Sequence, residues 1–235
     1  MVFLASKLDK NFKFEFDNDY EEITISSFDS IKLHGILFKS VNAKGLIFYL
    51  HGNAGALNTW GNISKTYTDL GYDIFILDYR GFGKSEGAYE NENQVNQDIQ
   101  IVYNTFLKKY PEEQIVVLGY SIGTGPATYL TSKNKPKQLI LLAPYFNFRE
   151  FSESRVPFFP DFLKKFNFET NNFISVIKAP ISIFHGDKDQ LINFKNSVRL
   201  QKIIKPTDSL YILENQGHIG INENEDFNEK LKVVL

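Results

Sequence analysis

Five short, continuously apolar runs recur along the chain, each followed by turn residues and a helical stretch. They are Leu46–Leu50, Ile74–Leu77, Ile115–Leu118, Leu139–Leu142 and Ile181–Phe184. A run of four or five apolar residues with no polar alternation suits a strand buried on both faces. Strands of that kind alternating with helices imply right-handed crossovers and a mainly parallel sheet covered on both sides. The intervening helices are expected at Leu57–Leu70, ended by Gly71, at Asn91–Tyr110, stopped before Pro111, at Ile122–Thr131 and near Asn193–Ile204. Ser209–Leu213 and a terminal helix follow. Ahead of these runs, Glu21–Ser26 and Ile31–Phe38 flank Phe28-Asp29-Ser30 and read as a hairpin, which adds an antiparallel edge.

Nothing in the sequence divides this pattern. There is no internal repeat, low-complexity segment or linker, and 235 residues suit one α/β domain over 1–235. The absence of cysteine excludes disulfides, thiolate metal sites and a cysteine nucleophile. With a net charge of −2 and no long basic run, nucleic acid is not the expected partner. The amino-terminal Val2-Phe3-Leu4 is apolar but far too short to span a bilayer, and no basic region precedes it. A cytoplasmic location is therefore expected, with Val2–Leu4 free to meet a membrane or the fold itself. The oligomeric state is not written in the sequence.

Ligands of parallel sheets bind beyond the carboxyl ends of the strands, and the chemically informative residues stand there. After Ile115–Leu118 comes Gly119-Tyr120-Ser121-Ile122-Gly123, a G-x-S-x-G sequence between a strand and a helix. That spacing makes a nucleophile elbow: small residues flank the serine because the turn is too tight for larger ones. The helix amino terminus beneath it favours developing negative charge. Of four histidines, His34 lies within the hairpin, and His51 and His185 each end a strand before a glycine. His218, in the loop after the last strand, is the candidate base for Ser121. The orienting carboxylate is expected in His185-Gly186-Asp187-Lys188-Asp189, where Asp187 and Asp189 both remain open on local grounds. The oxyanion donors are expected to be the amide of Ile122 and one from the glycine-rich loop His51–Gly55, with Asn53 best placed.

Two decoys are set aside. Gly83-Lys84-Ser85 resembles the end of a phosphate-binding loop, but Asp78 stands where that loop needs its first glycine. Gly123-Thr124-Gly125 mimics part of a dinucleotide fingerprint whose third small position holds Thr128. No histidine pair or carboxylate cluster has metal-ligand spacing, so no metal is expected.

The runs His51–Gly55, Leu77–Gly87, Gly119–Gly123, His185–Asp189 and Gly217-His218 together resemble the α/β-hydrolases. More narrowly, the chain is similar to the serine aminopeptidase-like and dienelactone-hydrolase-like members, including those related to protein depalmitoylases. The likeness extends from about Glu21 to the final helix. It implies the α/β-hydrolase fold and ester, thioester or amide substrates, with no cofactor. In that family the last residue of H-G-x-x-D is catalytic, which implies Asp189 rather than Asp187.

Pro144–Phe173 falls where this fold inserts its lid, and the lid region is expected over 144–175. Nine of the chain's 22 phenylalanines lie there, among them Phe146, Phe148, Phe151, Phe158, Phe159, Phe162, Phe166 and Phe168. Such rings either face an apolar acyl group or simply cover the sheet. Arg149, Arg155 and Lys164 nearby are candidates to meet a substrate carboxylate, with a solvated face the preferred expectation. The expected activity is hydrolysis of small to medium carboxylic esters or thioesters. The alternatives are a peptidase or amidase, with Glu150 and Glu153 as candidate acidic groups, a perhydrolase, or a non-catalytic binding protein of the same fold.

Overall fold

The computed structural model describes residues 4–155 and 166–235. The strands among them are β1 (Leu4–Ala5), β2 (Tyr20–Ser26), β3 (Lys32–Phe38), β4 (Leu46–Leu50), β5 (Ala54–Gly55), β6 (Asp73–Asp78), β7 (Ile115–Tyr120), β8 (Gln138–Leu142), β9 (Ile181–Gly186) and β10 (Ser209–Leu213). Eight of them form one sheet in the order β10-β9-β8-β7-β4-β6-β3-β2. Every pairing from β10 to β6 is parallel, whereas β3 runs antiparallel to both β6 and β2. This is the expected α/β-hydrolase sheet with its antiparallel hairpin at the edge.

The apolar runs are buried on both faces because each face carries its own core. On β4, Leu46, Phe48 and Leu50 join Val95, Ile99, Val102, Ala127 and Leu130 on one side. Ile47 and Tyr49 point the other way and meet Leu57, Tyr67, Phe227 and Leu231. The first side is covered by α3 (Glu92–Phe106) and α4 (Thr124–Lys133), the second by α1 (Leu57–Trp60), α2 (Ser64–Thr68) and α8 (Glu225–Val234). The strand period of two thus sorts one sequence into two cores. Asn91 caps α3 by accepting the Gln94 amide at 3.0 Å, and Asn224 caps α8 by accepting the Phe227 amide at 2.9 Å.

Two helices differ most from the sequence reading. The expected helix 57–70 is broken into α1, a 3₁₀ turn at Gly61–Ile63, and α2. At the break a Cβ on Gly61 would meet the Phe16 ring at 2.3 Å, so glycine, a poor helix former, sits where the amino-terminal segment presses in. The helix expected near 193–204 is confined to α7 (Lys195–Gln201). In addition β1 pairs in parallel with β5, Leu4 opposite Ala54 and Ala5 opposite Gly55. The other helices are α5 (Phe148–Arg155) and α6 (Thr170–Ile174). No helix among the described residues is long and apolar enough to cross a membrane.

Candidate active site

The elbow follows β7 directly. Ser121 is buried and has φ +54°, a left-handed conformation that a non-glycine residue adopts only under tertiary constraint. The constraint is visible in its neighbours. A Cβ on Gly119 would meet the Gly123 carbonyl oxygen at 2.6 Å, and one on Gly123 would meet the Leu50 oxygen at 2.2 Å. Only glycine at both positions lets the turn close against the end of β4.

His218 Nε2 accepts the Ser121 hydroxyl at 2.9 Å, and its Nδ1–H donates to Asp189 Oδ2 at 2.7 Å. The other oxygen of Asp189 accepts the amides of Leu191 and Ile192, each at 2.8 Å. Burial works to raise the Asp189 carboxyl, but hydrogen bonds from His185 and His218, electrostatic attraction toward His218 and the Ile192 amide hold it well below the usual carboxylate range. His185 stands 3.2 Å from Asp189 through Nε2, which also donates to the Ile192 carbonyl at 2.7 Å, while Nδ1 accepts the Ser197 hydroxyl at 2.6 Å. The structure therefore brings Ser121, Asp189 and His218 together and leaves Asp187 aside, 3.6 Å from Lys188.

His51 supports the glycine-rich loop rather than entering the site. Its Nδ1–H donates to Gly52 O at 2.7 Å, and its ring stacks on Trp60 at 5.5 Å. His34 stacks on Phe14 at 5.7 Å and bonds Glu22 at 2.8 Å. The two decoys resolve structurally as well. Ser85 Oγ donates to the Asp78 carbonyl, and Lys84 pairs with Glu22 at 2.6 Å. Thr128 Oγ donates to the Thr124 carbonyl inside α4.

A cavity of about 410 Å³ opens at Ser121 and His218. Asn53 lies on its wall, and the Ile122 amide opens the turn leading into α4, where the first amides of a helix have no intrahelical partner. Trp60, Ile63, Tyr120, Leu191 and Ile219 are among its apolar lining residues, and the exposed Glu223 lines it too. The sequence reading did not mark these residues for the pocket. None of the described residues of 144–175 lines it. Phe148, Phe166 and Phe168 are instead buried in the core over α3 and α4. Glu92 fixes that arm by accepting the amides of Asn167 and Phe168 at 2.9 and 3.0 Å. Phe158, Phe159, Phe162 and Lys164 lie outside the described residues, as do Val2 and Phe3 and the Arg155 side chain. Glu150, which sequence offered as an acidic contact, pairs with Arg199, and Glu153 with Arg149.

A family model described as serine aminopeptidase, S33, matches residues 41–175. The chain belongs to the α/β-hydrolase family. Human alpha/beta hydrolase domain-containing protein 17B is 32% identical over 203 residues, covering 82% of this chain and 67% of that protein. The lysophosphatidylserine lipase ABHD12 of Xenopus tropicalis is 30% identical over 187 residues, and there the match spans 70% of this chain and 48% of the lipase. Among solved structures, the Pyrococcus furiosus esterase Pf2001 superposes with a TM-score of 0.76 at 18% identity, covering all of this chain and 95% of the esterase. With hydrolases, lipases and esterases as its relatives and structural neighbours, this α/β-hydrolase is a serine hydrolase.

Proposed function

We propose that this hydrolase cleaves carboxylic esters or thioesters of small to medium acyl groups through an acyl-enzyme on Ser121. The observation that carries this reading is the unbroken hydrogen-bond chain Asp189–His218–Ser121, whose Ser121 and His218 line a mainly apolar cavity. His218 takes the Ser121 proton as Oγ attacks the carbonyl carbon, and the amides of Asn53 and Ile122 receive the negative oxygen. The tetrahedral intermediate collapses, His218 passes the proton to the departing alcohol or thiol, and water repeats the cycle to release the acid. Asp189 stays ionised throughout, which its depressed carboxyl supports. A volume of about 410 Å³ lies toward the small end of ligand sites and favours short or medium acyl chains.

The test is fluorophosphonate labelling of the wild type and Ser121→Ala, followed by p-nitrophenyl esters of increasing acyl length. Labelling lost in the variant, with turnover peaking at intermediate length, is the expected result. A folded wild type that neither labels nor turns over ester refutes it. One observation favours a second reading, cleavage beside a free amino group: the exposed Glu223 is among the residues that line the cavity. A preference for aminoacyl amides over neutral esters, abolished in Glu223→Gln, would select it.

A further inference from the structure

The loop that carries His218 is exposed at Ile219 and open around Gly217. Ile219 is 86% exposed, and a Cβ built on Gly217 would touch nothing within 4 Å. The support comes from beneath. Tyr120, between Gly119 and Ser121, is buried, and its hydroxyl donates to the carbonyl oxygen of His218. Burial pushes the Tyr120 hydroxyl well above its ordinary value, and the backbone of Ile221 and Gly220 beside it works against that rise. That hydroxyl thus anchors the start of the turn His218–Ile221, in which Gly220 has φ +87°. Gln216 braces the outer side, donating to the Ile219 carbonyl at 2.7 Å and accepting from Asn224 at 2.9 Å.

The Tyr120 ring also reaches the other half of the site. It meets Trp60 edge-on, with centroids 5.5 Å apart and planes at 86°. Trp60 in turn donates its indole N–H to the Ala54 carbonyl at 2.8 Å, next to Asn53. Tyr120 and Ser121 are adjacent in the chain, so the bond to His218 ties base to nucleophile through one peptide of a buried strand. The imidazole must satisfy Ser121 and Asp189 at once, and its carbonyl anchor sets the backbone from which it does so.

We propose that Tyr120 is a positioning residue, whose hydroxyl holds the His218 loop so that the imidazole stays in reach of both Ser121 and Asp189. The proposal rests on the acyl-transfer reading above. Tyr120→Phe is the test, because it keeps the ring, the cavity wall and the contact with Trp60 while removing only the hydroxyl. Two readouts are taken on protein shown to be folded by circular dichroism: steady-state kinetics on a neutral p-nitrophenyl ester, and the low-field proton resonance of the His218–Asp189 hydrogen bond. Asp189→Asn, which lacks that bond, assigns the resonance.

The expected result is a kcat lower by about 10- to 100-fold, KM changed by less than about threefold, and a low-field signal broadened by exchange with water. Restoring a donor at the ring with p-aminophenylalanine at position 120 recovers part of kcat and sharpens the signal. A Tyr120→Phe protein with kcat within about twofold of wild type and an unchanged resonance overturns the proposal, whatever happens to its melting temperature. Should the wild type turn over no ester, the acyl-transfer reading fails, and the resonance alone then decides the role of Tyr120.

Discussion

Replacing Asp189 with asparagine exchanges one oxygen for an NH2 group, and the surroundings dictate which. The oxygen that accepts the Leu191 and Ile192 amides, both at 2.8 Å, must remain an acceptor, because an NH2 there would face two buried donors. The NH2 therefore falls at the position of Oδ2, 2.7 Å from His218 Nδ1. There it donates, so Nδ1 must accept and the ring proton moves to Nε2. Nε2 then points a hydrogen at Ser121 Oγ, 2.9 Å away, and cannot take the hydroxyl proton. The same exchange in triads of the chymotrypsin type lowers kcat about 10⁴-fold, or about 5.5 kcal/mol in barrier height. A loss of that order in kcat, with folding retained, is expected here on a p-nitrophenyl ester at neutral pH. A folded Asp189→Asn enzyme retaining more than about a tenth of wild-type kcat would refute the tautomer argument. Stability carries a second signature. A carboxyl depressed in the folded state stabilises above its unfolded value of about 3.9, and that contribution drains away as pH falls toward the folded value. Wild type is accordingly expected to lose stability below about pH 4 more steeply than the variant, in urea titrations at stepped pH.

Three further outcomes are expected. Gly125→Ala drives a methyl to 2.0 Å from the Tyr145 hydroxyl and 2.7 Å from Phe168 Cβ, so it should lower stability by about 1–3 kcal/mol, read as a fall in urea midpoint. Arg80→Met leaves the buried Asp98 without the guanidinium that bonds it at 2.5 and 2.8 Å, and a loss of about 3–5 kcal/mol is expected in the same measurement. Ile63→Trp fills part of the cavity and should shift the preferred ester to a shorter acyl chain. Each methylene excluded removes about 0.8 kcal/mol of burial, close to fourfold in kcat/KM across the ester series.

The sheet was legible because its signal is local: Leu46–Leu50 and Ile115–Leu118 are apolar on both strand faces, which only a doubly covered sheet accommodates. The elbow was legible for a similar reason, since Gly119, Ser121 and Gly123 are constrained by contacts within one turn and the end of β4. Asp189 was separated from Asp187 by resemblance alone, because the deciding partner, His218, lies 29 residues away. The cavity wall was not legible. Trp60, Leu191 and Ile219 come from three separate segments, and no periodicity or motif joins them. The phenylalanines of 144–175 pulled attention toward the cleft by their number, yet Phe148, Phe166 and Phe168 spend their apolar surface on the helices below. The hydroxyl of Tyr120 finds its acceptor 98 residues away, a pairing that sequence spacing does not encode.

The parallel pairing of Leu4–Ala5 with Ala54–Gly55 has a practical consequence for how the molecule is handled. Ser6 and Leu8 extend the attachment by exchanging hydrogen bonds with Gly83 at 2.8 and 3.0 Å. Anything joined ahead of residue 4, whether a natural extension, an affinity handle or a tether to a solid support, leaves the fold one residue from Asn53. A bulky group attached there begins beside the loop that carries Asn53, so its effect on turnover has to be measured before variants are compared. A handle at the other end departs from Leu235, whose carbonyl is held by Tyr72 at 2.9 Å and Lys137 at 2.8 Å. Those two residues immediately precede β6 and β8, at the amino-terminal ends of the parallel strands, whereas Ser121 follows the carboxyl end of β7. Kinetic comparisons between variants are best made on protein carrying its handle there.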